Sequence, residues 1–368
     1  MAGRGHGRAL RWTAVGALVA VLAALPALIG ALPASDAAVS AAALRARVLA
    51  SAGVAFSGYA QSAGGLALPV TDQLTSVADL FSERTTMRVW WRSPADNRVD
   101  VVTAAGETDT HTGPGATWTW EYERATATRR TASALALPAP PDLLPTAIGR
   151  RLASEATAGE LSRIGARRVA GRDALGLRIA PSAGAASVRY ADVWADARTG
   201  LPLQVQVVGR DGGRTALDSR FLDLRLTRPA AATTAFTPPY GATVREGRES
   251  EVLLEAGRRV EVLPLPATLA GLPRRSLAGV PEGIGLYGRG VTLLAVAPVP
   301  QNLADDLRNT LVRSPTAIED AAGVRVAAGP VGLMIVSRSH GPYVLTGTVT
   351  PNALKAAANE LPDVGAAR

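Results

Sequence analysis

The chain has 368 residues, 47% of them apolar, with 37 Gly, 25 Pro, no Cys and a formal net charge of +8. The absence of cysteine excludes disulfides, thiolate metal sites, a cysteine nucleophile and a lipidated-cysteine anchor, so an exported domain built from this chain is held by its core alone. The length allows two domains, and the basic balance does not point to nucleic acid, because pairs such as Arg129-Arg130 and Arg274-Arg275 are scattered instead of gathered in one tract.

Met1 to Arg11 carries Arg4, Arg8 and Arg11 and no acid, and from Trp12 to Leu32 the only polar side chain is Thr13. That apolar run is long enough to cross a bilayer as a helix, and its basic flank keeps the N-terminus in the cytoplasm and sends the remainder outward. Pro26 and Gly30 shorten the continuous helix, and Ser35-Asp36-Ala37 fits a small-x-small cleavage site, which makes a signal peptide cut near Ala37 the alternative to a retained anchor. Both place the protein outside the cytoplasm. Asp36 is positioned to cap a helix over about Ala37 to Ala52 that Gly53 ends. The strand VAFSGYAQ follows, and Ser76 is placed to cap a turn VADLF.

Met87 to Thr131 reads as a series of antiparallel hairpins. Apolar residues alternate through Met87, Val89 and Trp91, then Val99 and Val101, then Trp118, Trp120 and Tyr122, each run broken by Pro, Gly, Asn or Asp. This predicts one apolar face, covered either by protein or by ligand. Asp142 to Ala156 is predicted helical with a stripe through Leu143, Leu144, Ala147, Ile148 and Leu152. Strands are predicted over Ile164 to Val169, Leu175 to Ala180, Ser187 to Ala195, Leu201 to Val208 and Ala216 to Thr227. Arg228 to Glu261 has the composition of a linker. Beyond it, strands over Gly283 to Tyr287, Val291 to Ala297, Val324 to Ala327, Val331 to Ser337 and Tyr343 to Val349, with helices over Gln301 to Val312 and Pro351 to Leu361, describe a small α+β unit.

Gly283, Gly285 and Gly288 spell G-x-G-x-x-G, but the run VTLLAVA after them is a strand, not the helix that a dinucleotide loop needs, so a hairpin is expected. His6 falls in the N-terminal tail, and His111 and His340 fall in predicted surface turns. No nucleophile elbow or paired carboxylates accompany them, and acids such as Asp100 beside Arg98 read as solvated outer faces. An exported hydrolase using His340 is therefore disfavoured. No cofactor, metal site or catalytic residue is expected. Phe56, Met87, Val89, Trp91, Trp118, Trp120 and Tyr122 are the candidate residues for a hydrophobic ligand, with core packing the competing interpretation.

In chain order, FSGYAQ, RVWWRSPADNRVDV, TWEYERATAT, ARRVAGRDALGLRIAP, YADVWADARTGLPLQVQVVGRDG, SRFLDLRL and FTPPYGATV resemble the LolA-like superfamily, and within it the RseB/MucB N-terminal-domain type. The most specific segment is VWADARTGLPLQVQV, and the resemblance spans about Ala37 to Arg245. It implies an α+β fold: a curved antiparallel half-barrel with helices on its concave face, followed by a small α+β domain. The expected division is 1–36 tail and signal peptide or anchor, 37–245 half-barrel, 246–262 linker and 263–368 C-terminal domain. The resemblance implies a non-enzymatic protein binding a lipid or lipid-modified protein, or alternatively a regulator holding the outer part of a membrane anti-sigma factor. Membrane contact is through the N-terminal segment, and nucleic acid is not a partner. The lack of cysteine departs from the lipidated carriers of the superfamily.

Overall fold

The computed structural model describes residues 15, 34–64, 84–103, 106–131, 138–247, 264–276 and 278–362. Helix α1, Ala41–Ala50, starts at Ser40, whose hydroxyl accepts the Ala43 N–H, and not at Asp36. Asp36 is instead engaged by the Arg163 guanidinium at 2.6 Å. Among the described residues no helix is long and apolar enough to cross a membrane. The predicted span Trp12 to Leu32, Val15 apart, and the turn VADLF lie outside the described residues, as does His6.

Twelve strands form one open, curved sheet. In chain order they are β1 Phe56–Gly64, β2 Arg84–Ser93, β3 Asp96–Thr103, β4 Gly106–Gly113, β5 Ala116–Glu121, β6 Thr126–Arg130, β7 Leu161–Val169, β8 Arg172–Ile179, β9 Val188–Asp196, β10 Pro202–Gly209, β11 Thr215–Arg225 and β12 Thr243–Glu246. Their spatial order is β12-β6-β5-β4-β3-β2-β1-β11-β10-β9-β8-β7. The end strands β12 and β7 do not pair with each other, so the sheet is no closed barrel. All neighbours are antiparallel except β12, which runs parallel to β6.

Helix α2, Pro145–Glu155, begins with proline at its first position, where a missing N–H costs no hydrogen bond, and follows a 3-10 turn over Pro140–Leu143. With α1 it covers one face of β8 to β10, closing a cluster that includes Leu44, Val48, Leu152, Leu177, Val193 and Val205. The β9-β10 corner shows why D-x-x-T-G-L-P folds as it does. Asp196 Oδ1 accepts the N–H groups of Arg198 (3.1 Å) and Thr199 (2.8 Å) and the Thr199 hydroxyl (2.9 Å). Gly200 has φ +73°, and a Cβ there would lie 2.5 Å from the Arg47 carbonyl oxygen, so only glycine fits against α1.

The stretch Ala231 to Glu246, linker-like in composition but nearly all inside the expected half-barrel of 37–245, is part of this fold. A short helix α3, Ala231–Thr234, lies over β2 to β4, and β12 then adds to the sheet edge. The linker proper, from 248 to 263, lies outside the described residues.

A second sheet follows a two-stranded ribbon of β13 Thr268–Leu269 and β14 Leu272–Pro273. It contains β15 Gly285–Arg289, β16 Thr292–Pro298, β17 Ile318–Asp320, β18 Gly323–Ala328, β19 Val331–Arg338 and β20 Gly341–Gly347 in the order β15-β16-β20-β19-β18-β17. The G-x-G-x-x-G stretch is the expected hairpin, and Gly288 (φ +81°) abuts the Thr292 carbonyl. Alternation along β19 divides the core: Ile335 packs with α4, Gln301–Leu311, and Met334 and Val336 pack with α5, Pro351–Glu360, on the opposite face.

Polar contacts join the two sheets at two places. Arg289 donates to both carboxylate oxygens of Glu160 at 2.7 and 3.0 Å, Arg275 donates to Glu155 at 2.9 Å, and the Gly290 N–H donates to Glu155 at 2.6 Å. Burial alone would raise the Glu160 carboxyl, but hydrogen bonds from Arg289, Thr157 and Ser182 outweigh it and hold it far below the usual range. At the other place an antiparallel bridge pairs Ala186 with Val349, flanked by Ser187 N–H to Thr348 O (3.2 Å) and Thr350 N–H to Ala185 O (2.9 Å).

Candidate functional site: the two faces of the half-barrel

Directly opposed residues in an antiparallel ladder share a face, so the observed register decides which candidates lie together. Met87, Val89 and Trp91 stand opposite Val101, Val99 and Asn97. Trp118 and Trp120, however, stand opposite His111 and Asp109, which in turn face Arg98 and Asp100, and then Trp90 and Arg88. The expected single apolar face is therefore two. Phe56, Met87, Val89 and Trp91 belong to the helix-covered face, while Trp118 and Trp120 belong to the outer one. The turns set the register, and an offset of one residue moves a whole strand's side chains to the other face.

On the helix-covered face Phe56 stacks on Trp91 (centroids 5.8 Å, planes 7° apart) and meets Phe221 edge-on at 5.3 Å. Leu143 and Leu144, from the turn before α2, complete this cluster. Phe56 and Met87 are 0% exposed, Val89 1% and Trp91 5%. At these exposures the four side chains are packed as core in this conformation.

The outer face carries a buried ionic network that strand patterning misread as solvated charge. Arg98 donates to both Asp100 oxygens at 2.6 and 2.9 Å and to Asp109 at 2.8 Å. Arg88 pairs with Asp100 at 3.4 Å and also with Glu107. The three carboxylates come within 4.8 Å of one another, yet two guanidinium groups already meet their charge, which suits an ion-pair network better than a cation site. Burial and the neighbouring Asp100 charge push the Asp109 carboxyl up to about 7.

His111 is buried at 4% exposure, not in a surface turn. Its Nδ1 lies 3.0 Å from the Thr234 carbonyl oxygen, to which it donates as the neutral tautomer, and burial lowers its pKa. Phe236 covers this face, with ring centroids 4.7 Å from His111, 5.7 Å from Trp118 and 6.2 Å from Trp120. Arg92 and Asp96 hold the same strap through the Pro229 carbonyl (2.7 Å) and the Thr234 hydroxyl (2.5 Å). Tyr122 stays half exposed. The imidazole is committed to the strap on one side and to ring packing on the other, and its role is to fix that strap. His340 sits in the β19-β20 turn, as expected.

Residues 126–238 match the family model described as the MucB/RseB N-terminal domain, just under a third of the chain. That segment is of the MucB/RseB N-terminal-domain type. No curated protein matches it. Among solved structures, the Pseudomonas aeruginosa MucA/MucB complex is similar at 19% identity over 87% of this chain and 97% of that one, with a TM-score of 0.48. A crystal structure of MucB is similar at 18% identity over 89% and 98%, TM-score 0.46. A LolA-superfamily protein from Nitrosomonas europaea is similar at 10% identity over 54% and 99%, TM-score 0.25. The segment matching the MucB/RseB family runs from β6 through α2 to the strap with Thr234 and Phe236. The aromatic candidates from Phe56 to Tyr122 precede it.

Proposed function

We propose that this RseB/MucB-type chain is an exported, non-enzymatic regulator that holds the outer segment of a membrane anti-sigma factor. The family match over residues 126–238 carries this proposal. The filled helix-covered face supports it, because a protein partner can be recognised on the surface without opening the core. The N-terminal segment, as anchor or as signal peptide, would place the molecule beside the part of such a partner that leaves the membrane. The division into a half-barrel over 37–245 and a smaller domain over 263–368 belongs to the same proposal.

A carrier of a hydrophobic ligand is the alternative. It requires the turn Pro140–Leu143 and α2 to lift off Phe56, Met87, Val89 and Trp91, leaving only Trp118, Trp120 and Tyr122 near the outer surface. Removal of the protein from its host distinguishes the two. The regulator raises transcription from promoters of the extracytoplasmic sigma factor when it is lost. Unchanged transcription combined with mislocalised lipoproteins would sink the regulator and favour the carrier.

A further inference from the structure

Strand β11 carries one residue more than β1 can match. Tyr59 stands opposite Asp223 and Ala60 opposite Phe221, so Leu222 is the extra residue of a β-bulge. Phe221 and Leu224 stay in the core on the helix-covered side, whereas the bulge turns Leu222 outward, where it is 44% exposed. Gly58 permits this, because a Cβ there would run into the Asp223 carbonyl. Tyr59, next to the buried Ala60, points outward as well and is 40% exposed. Half-buried Trp90 stands opposite Ser57, one diagonal step from Tyr59, with the Arg98 and Arg88 guanidinium carbons 5.1 and 6.0 Å from its ring centroid. Arg220, opposite Gln61, and Arg225, opposite Ser57, flank these residues on the same face. Both are exposed, and among the described residues neither pairs with an acid. Asp223 lies between them, which leaves the flanks with a net positive charge.

Strands β1 and β11 are the middle pair in the twelve-strand order, so this apolar patch occupies the centre of the outer face. We propose that it is the docking face for the protein partner: a segment of that partner sets an apolar side chain against Tyr59 and Leu222 and carboxylates against Arg220 and Arg225. The inference rests on the regulator proposed above and names the surface that the regulator uses. Tyr, Trp and Arg are the residue types that carry most of the binding energy at protein interfaces, and a guanidinium takes a carboxylate through two parallel hydrogen bonds. The molecule already covers the neighbouring part of this face in the same manner. There its own strap lays Phe236 against Trp118, Trp120 and His111, so a short irregular segment with one aromatic anchor suits the outer face of this sheet.

Titration of the full chain with the purified outer segment of its host's membrane anti-sigma factor tests this through charge-reversing variants. Leu222→Asp and Arg225→Glu should each weaken binding at least ten-fold with melting curves like wild type, because both side chains are exposed. Ile318→Asp, at an equally exposed apolar residue on β17, should bind as wild type does. Where Leu222→Asp lowers the melting temperature, Leu222→Ser takes its place. If wild type binds and either the Leu222 or the Arg225 variant binds equally well, the docking face is wrong and the regulator stands. Equal weakening by Ile318→Asp also overturns the docking face. If wild type does not bind, the regulator fails and the docking face fails with it. Sedimentation of the chain alone tests the other occupant: a dimer that Leu222→Asp dissociates would put a second copy on this patch and overturn the proposal.

Discussion

At residue scale, the outer-face network makes a prediction about pH. The Asp109 carboxyl titrates near 7 in the fold against an ordinary value of 3.8, so folding favours its protonated form. That stabilisation is complete below about pH 4 and is lost as pH rises towards 7. His111, lowered from 6.5 by burial, acts in the opposite sense over the upper part of that window, and the lowered carboxyls of Glu155, Glu160 and Asp196 act below it. Comparison with Asp109→Asn isolates the one group. Wild-type stability relative to Asp109→Asn should fall between pH 4 and 7 in urea unfolding, and parallel profiles would show that Asp109 is ionised throughout. The aromatic candidates also separate at this scale. Phe56→Ala should cost about 3–5 kcal/mol as a core truncation, whereas Tyr122→Ala should stay within about 1 kcal/mol. Equal losses in denaturant titrations would contradict the two-face assignment. Period-two alternation put Met87, Val89 and Trp91 on one face of β2, and Trp118 and Trp120 on one face of β5. It could not relate Trp91 to Trp118, because the register between β2 and β5 depends on turn geometry that hydrophobicity does not encode.

At the scale of elements, most strands and helices were legible from periodicity and turn residues, and the D-x-x-T-G-L-P corner was legible from its own chemistry. The strap over Ala231 to Pro238 was not. Its Ala, Thr and Pro composition carries no periodic signal, and Phe236 is a lone aromatic within it. Phe236→Ala should destabilise the molecule by about 1–2 kcal/mol through lost ring contacts with His111, Trp118 and Trp120. It should also speed proteolysis near Pro238, and unchanged cleavage would mean that the strap is held by backbone bonds alone. Helix α1 likewise began later than Asp36 predicted, because a carboxylate engaged by Arg163 is not free to cap.

For the whole molecule, the joint between the sheets decides whether two units behave as one. Glu160 accepts from Arg289, Thr157 and Ser182 and is 7% exposed, so Glu160→Ala should cost about 2–3 kcal/mol. A shift of a single cooperative transition would mark coupled sheets, and a split into two transitions would mark a joint that rests on this contact. Sequence patterning could not place the joint, since charges spaced far apart along the chain reveal no pairing. The proposed function has the chain bind protein at its surface and not lipid in its interior. Isothermal titration of the full chain with the purified outer segment of its host's membrane anti-sigma factor tests that claim most directly. The account predicts saturable binding with Kd below about 1 µM, the range of specific protein complexes. No binding, together with lipid held stoichiometrically by the purified chain, would contradict it.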